Sequence, residues 1–291
     1  SFNDMFVRDG MADTLKLFAY ATLALVFIYA KHYLRTFEMF RADFYTLSLF
    51  SLLGVMLLIS ANNLVMIYLG LELTSLSGYA LVAFNRGSSR GSESAMKYFI
   101  LGSMASGLLL YGMSMVYGAT GSLSLPVIAE AARASGGDDI LLVVGLVFLV
   151  VGVAFKLGLV PFHMWIPDVY DGAPLAATLF IATVPKLAAF AMAYRILVGG
   201  LGEMHGDWQQ MHAALAVASI VVGNLAAIIT LRQDPMVEGQ AVMTSFNDMF
   251  VRDGMADTLK LFAYATLALV FIYAKHYLRT FEMFRADFYT L

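Results

Sequence analysis

The sequence predicts an all-α, polytopic transmembrane helix bundle. Three observations carry that prediction. Of the 291 residues, 60% are hydrophobic and only 13% are charged, and the mean hydropathy is +0.76; a soluble domain carries about 25% charged residues. Seven apolar stretches stand at about 14–33, 44–60, 62–84, 96–118, 139–160, 174–198 and 211–231. Each is close to the ~20 residues a helix needs to cross a hydrocarbon core. The short alternating segments of a membrane β-barrel are absent, and lipid leaves helices as the other way to satisfy every backbone polar group.

Composition also narrows function. A formal net charge of −3 gives no reason to expect nucleic acid as a partner, and the chain has no cysteine. Disulfides and thiolate-held iron–sulfur clusters are thereby excluded, so any linked electron chemistry sits on another chain. The opening residues SFNDMFVRDG lack the basic region and cleavage site of a secretory signal. The missing initiator Met is read as a chain that begins inside a longer protein.

Residues 1–47 recur without a single difference as residues 245–291. Natural structural repeats drift in sequence, so an identical copy reads as an artefact of joining or a very recent duplication rather than as a functional module. The copy adds an eighth apolar stretch at about 258–277. The expected organisation is a membrane domain over 1–230, an irregular join over 231–244 and the repeat over 245–291.

Loop charges order the crossings. The segment after the first stretch carries Lys31, Arg35 and Arg41, and the segment after the third carries Arg86, Arg90 and Lys97. The 119–139 loop sets Glu130, Asp138 and Asp139 against Arg133, and the loop before the seventh stretch carries Glu203 and Asp207. Basic and acidic loops alternate, so the positive-inside rule assigns 34–43, 85–95, 161–173 and 232 onward to the cytoplasm. The same rule conflicts with insertion of the second copy, whose Lys275, Arg279 and Arg285 would face outward. Within the 119–139 loop, SLPVIAEAARAS predicts a short amphipathic helix with Ser124 as N-cap and Pro126 in the first turn. In the fifth stretch, Gly158, Pro161 and Pro167 predict a broken helix near Lys156–Pro167. Pro185, which frees the Ile181 carbonyl beside Lys186, predicts either a second interruption or an ordinary proline kink.

The candidate chemistry lies in ionisable residues inside these stretches, each costing about 2.5–3.5 kcal/mol at a helix centre on insertion scales. Glu72, Lys156 and Lys186 are central and fit either a proton relay or a buried structural ion pair. Lys97 lies nearer an interface, where relay and snorkelling are both open. His163, just past Pro161, is a proton shuttle or a hydrogen-bonded interfacial histidine. Arg195 reads as a snorkelling anchor, and Trp165 and Tyr170 as interfacial aromatics. The pairs Gly102/Ser106 and Ser103/Gly107 read as helix-packing marks. The sequence offers no Gly-rich phosphate loop, metal-ligand cluster or nucleophile triad.

The strings SANNLVMIYLGLELTSLSGYALVAFNR, SESAMKYFILGSMASGLLLYGMSMVYGATG and FKLGLVPFHMWIPDVYDGAP resemble the subunit N family of bacterial NADH:quinone oxidoreductase, respiratory complex I. The resemblance runs over about residues 1–229 and extends more loosely to Mrp-type cation/proton antiporter subunits. It implies an antiporter-like fold of fourteen helices built from two inverted five-helix repeats, of which this chain covers the third to the ninth and is therefore incomplete. It implies a proton-translocating membrane-arm role, with Glu72, Lys156 and Lys186 on a polar axis and Lys97 matching a lysine used in some members. Glu72 and Lys156 are then expected as an ion pair that opens and closes, with Lys186 accepting the proton. NADH, FMN, iron–sulfur clusters and quinone are expected on other subunits, and no cofactor or metal on this one. The implied surroundings are the lipid bilayer of a bacterial inner membrane and the other membrane-arm subunits. A cation/proton antiporter subunit and a non-functional fragment are the alternatives.

Overall fold

The computed structural model describes residues 4–135, 139–233, 243–245 and 250–252. In chain order the helices are α1 (Gly10–Thr36), α2 (Ala42–Ile59), α3 (Leu64–Val82), α4 (Ser89–Thr120), α5 (Leu125–Ala134), α6 (Ile140–Leu157), α7 (Trp165–Gly172), α8 (Leu175–Ala193) and α9 (His205–Gln233). A π-helical segment, Tyr194–Gly200, continues α8. Six of these helices are long and apolar enough to cross a membrane: α1, α2, α3, α4, α6, and α8 with its π extension. They cover the first six predicted stretches, and α9 covers the seventh. The eighth, with the residues that carry the charge conflict of the second copy, lies outside the described residues.

Local sequence sets the helix limits. Asp9, Asn63, Ser88 and Asp139 each cap a helix start by accepting a backbone N–H, from Ala12, Val65, Gly91 and Leu141 respectively. Pro126 stands in the first turn of α5, as predicted, and Ser124 is its N-cap residue, although the Ser124 side chain makes no capping bond. The predicted break is present: α6 stops at Leu157, and regular helix resumes only at Trp165. The interruption that Pro185 allowed is not. α8 runs through Pro185, because packing on both sides holds a helix that has lost only one backbone donor.

The chain divides into two compact units, 1–209 and 210–291. In the first, the connections gather at two ends. At one end, Arg41 bonds the Phe84 carbonyl, Arg86 pairs with Asp43, Arg90 with Asp171, and Lys97 with Asp168. At the other, Phe6 bridges Ala61, Asn63 bridges Ser124, and Arg133 pairs with Glu203. The segments predicted to share the basic side thus meet at one end, and the acidic segments meet at the other. The closest helix contacts are made by glycine. A Cβ at Gly54 would press on the Gly70 carbonyl of α3 at 2.7 Å, and one at Gly112 on the Gly145 carbonyl of α6 at 2.9 Å.

In the second unit, a strand Met243–Ser245 pairs antiparallel with Phe250–Arg252, and Ser245 stands opposite Phe250. Phe250 is the copy of Phe6, which in the first unit bridges Ala61 instead. An identical local sequence therefore takes different strand partners in different surroundings.

Candidate functional site

The site grows from the end of a broken helix. Gly158 takes the left-handed conformation, φ 77°, which glycine alone adopts without strain. This stops α6 and leaves its last carbonyls without intrahelical donors. Lys186, reaching across from α8, fills the gap. Its Nζ donates to the carbonyls of Lys156 and Leu157, each at 3.0 Å. A cation at a helix C-terminus is also favoured by the helix dipole. The Leu157 carbonyl, freed by the break, is thus held by the other central lysine.

Lys156 stands in the last turn of α6. Its Nζ donates to Ser75 Oγ of α3 at 2.7 Å, and Ser75 donates on to the Leu71 carbonyl at 2.7 Å. The Lys156 and Lys186 side chains line a shared cavity of ≈ 30 Å3 together with Ser75, Thr74, Tyr98 and Trp165. That is room for about one or two water molecules. The Lys186 ammonium stands 5.1 Å from the Trp165 ring centre.

Glu72 lies three residues before Ser75, on the same face of α3. Its Oε1 is buried and has no hydrogen-bond partner. The expected Glu72–Lys156 ion pair is not closed: the lysine is taken by Ser75, and no carboxylate lies within ion-pair distance of it among the described residues. Ser75 escaped the sequence reading because a serine in a helix carries no charge to mark it. Its three-residue spacing from Glu72 was the available signal.

The structure places the other predicted residues elsewhere. Lys97 is 44% exposed, near the basic end, paired with Glu93 at 2.9 Å and Asp168 at 3.4 Å. α4 is 32 residues long, about 48 Å at 1.5 Å per residue, so its first turns overrun the hydrocarbon core. His163 is half-buried in the segment between α6 and α7, and its Nδ1 is buried without a hydrogen-bond partner. Neither Lys97 nor His163 lines the lysine cavity.

Two expectations are corrected. Arg195 does not snorkel. Its side chain is 8% exposed and holds Asp9 through two bonds, Nη1 at 2.7 Å and Nη2 at 3.0 Å, while Nε donates to the Ile59 carbonyl at 3.2 Å. A carboxylate at the start of α1 offered this charge a nearer partner than the interface. The guanidinium holds the Asp9 carboxyl below the usual aspartate range. Trp165 is not interfacial. It is 2% exposed, stacks on Tyr98 at 4.8 Å and donates to the Phe155 carbonyl at 3.0 Å, so it plugs the gap left by the helix break. Of the two small-residue pairs, Gly102/Ser106 faces inward, whereas Ser103 and Gly107 are exposed.

Comparison with known proteins agrees with this architecture. Residues 61–233 match the family described as NADH:quinone oxidoreductase/Mrp antiporter, TM. The NADH-quinone oxidoreductase subunit N of Nitrosomonas europaea is 54% identical over 228 residues, which cover 78% of this chain and 47% of that protein. The corresponding protein of Thioalkalivibrio sulfidiphilus is 55% identical over 229 residues, covering 78% and 48%. The chain spans about half the length of the curated relatives it matches. Respiratory complex I from Thermus thermophilus contains a chain that aligns with a TM-score of 0.62 at 34% identity, over 91% of this chain and 50% of that one. The Mrp complex of a Dietzia species aligns at 22% identity with a TM-score of 0.62, over 77% and 41%, and shows a shared fold. This chain is a multi-pass membrane protein that belongs to the NADH:quinone oxidoreductase/Mrp antiporter family.

Proposed function

We propose that this chain supplies one proton half-channel in the membrane arm of a bacterial inner-membrane NADH:quinone oxidoreductase, coupled to electron transfer on other subunits. The observation that carries this reading is the meeting of Lys156, Lys186 and Ser75 at one small, mostly apolar cavity beside a helix break. Irregular backbone at membrane depth persists where protein or water satisfies it, and charged groups beside such breaks mark ion pathways.

The chemistry follows from the partners. Glu72 is a carboxylate at membrane depth with one oxygen buried and unpaired, a place where ionisable groups mark ion pathways. Glu72 thus receives the proton. Ser75, able to donate and accept, carries it to Lys156. Lys186, repelled by a second ammonium in the same cavity, passes it onward. Lys97 and its carboxylate partners collect protons at the basic end, and His163, in the broken segment on the same side, is a further carrier there. NADH, FMN, iron–sulfur clusters and quinone belong to partner subunits in this scheme.

Glu72→Gln and Lys156→Met, placed in the complete complex, are expected to lower proton pumping on the order of a hundredfold while assembly stays normal. Proton flux into proteoliposomes during NADH oxidation measures this. Wild-type pumping in both variants would exclude the relay. Sodium-dependent proton flux without quinone reduction would point instead to antiport.

A further inference from the structure

α3 carries a polar stripe of Tyr68, Glu72, Ser75 and Tyr79, spaced by four, three and four residues and so on one helix face. The scheme above uses Glu72 and Ser75 and leaves Tyr79 without a task. Tyr79 is 8% exposed, and its ring is held edge-on by Tyr98 at 4.7 Å and Phe99 at 5.6 Å. Its hydroxyl is buried and faces the Ser75 hydroxyl without a hydrogen bond of good geometry. That hydroxyl sits in a notch at Gly102 of α4, where any Cβ would collide with it. One turn along α4, Ser106 is 4% exposed, and its Oγ is buried without a partner.

Two buried hydroxyls without well-made hydrogen bonds beside a glycine notch need a reason, since leaving such groups unsatisfied is costly. Phenylalanine and alanine would fill the same space without that cost. A hydroxyl free to accept from one neighbour and donate to another can carry a proton. Position says from where to where. Tyr79 lies one turn from Ser75, about 6 Å along α3, on the side of the basic end. Gly102 lies five residues from Lys97, about 7.5 Å along α4. Tyr98, against which the Tyr79 ring rests, also lines the lysine cavity. The Tyr79 hydroxyl therefore stands between the Lys97–Glu93–Asp168 cluster and the Ser75–Lys156 bond.

We propose that Tyr79, seconded by Ser106, is a proton-carrying group on the uptake side of the half-channel, handing protons from water at the basic end to Ser75 and Lys156. The phenol oxygen accepts the excess proton of a hydronium from the basic end, leaving water, as its own proton leaves for Ser75 Oγ, which in turn gives up its proton to the neutral amine of Lys156. At the phenol one O–H bond forms and one breaks, and the hydroxyl ends neutral and turned. This rests on the reading of Lys156 as a proton carrier.

The test is Tyr79→Phe in the complete complex, which keeps both ring contacts and the fold and deletes one oxygen. Proton flux during NADH oxidation is expected to fall roughly a hundredfold, with a larger H2O/D2O rate ratio because proton transfer becomes the slow step. Ser106→Ala is expected to give a smaller change of the same kind. If Lys156→Met lowers flux and Tyr79→Phe does not, the tyrosine has no part and the wider reading stands. If neither lowers flux, both readings fall. Slow flux in Tyr79→Phe with an unchanged isotope ratio would assign the hydroxyl to packing and overturn the proposal. So would slow flux in Tyr79→Phe alongside normal flux in Lys156→Met.

Discussion

The smallest unit of this protein that has a consequence is the Lys186 ammonium. It bonds the Lys156 and Leu157 carbonyls at 3.0 Å each, so it holds the structure of one helix end while taking part in the proposed transfer. Lys186→Met keeps the length of the side chain and removes all its donors. Two carbonyls then face an apolar thioether, a loss of about 2 kcal/mol. The expected outcome is a lower melting temperature of the detergent-solubilised complex together with lost pumping. Unchanged melting would mean that water or a neighbouring side chain replaces those two bonds. Ser75 and Trp165 show what sequence reading misses at this scale. Neither residue is charged, so nothing in their type marks them as members of the site.

At the scale of elements, the break between α6 and α7 is the decisive feature, and it was legible. Gly158, Pro161 and Pro167 stand within ten residues, and each disfavours helix. Gly158→Ala is the sharp test. A left-handed residue with a Cβ costs about 1–2 kcal/mol, and here the Cβ would also collide with Ile166 and stand 3.4 Å from Lys186 Nζ. Assembly of the variant is expected to drop severalfold on native gels, and normal assembly would show that the backbone can relax. The interruption that Pro185 allowed is absent, because a single proline inside a long, buried helix is absorbed by its neighbours. The glycine contacts that seat α2 on α3 and α4 on α6 were not legible. A glycine in an apolar run looks the same whether it faces lipid or another backbone.

At the scale of the molecule, the alternation of charged loops predicted which segments share an end, and the ion pairs at each end agree. Asp9 and Arg195 stitch the acidic end across 186 residues of chain. The Asp9 carboxyl titrates below its ordinary 3.8, chiefly because Arg195 hydrogen-bonds its charged form. A depressed folded value means stability that is present above pH ~3.8 and lost as the pH falls through the folded value. Thermal stability of the wild type is therefore expected to fall more steeply with acidification below about pH 4 than that of Asp9→Asn. Parallel pH profiles would show that the pair contributes nothing. The variant itself starts lower at neutral pH, because it leaves the buried guanidinium without its counter-charge.

By itself the sequence determined the class of solvent, the number and order of the seven long helices, the break after Lys156 and the short list of central charges. Those depend on properties that any one residue or stretch carries alone: length, hydropathy, the missing N–H of proline, the cost of a charge in lipid. Only the tertiary structure decided which groups meet. It gave Lys156 to Ser75 rather than Glu72, paired Arg195 with Asp9, turned Trp165 inward and set the Tyr79 hydroxyl over Gly102. Partner choice depends on the rotation of each helix about its axis and on the depth at which neighbours pass. Those are set by packing between side chains far apart in the chain, and hydrophobic patterning alone leaves them open.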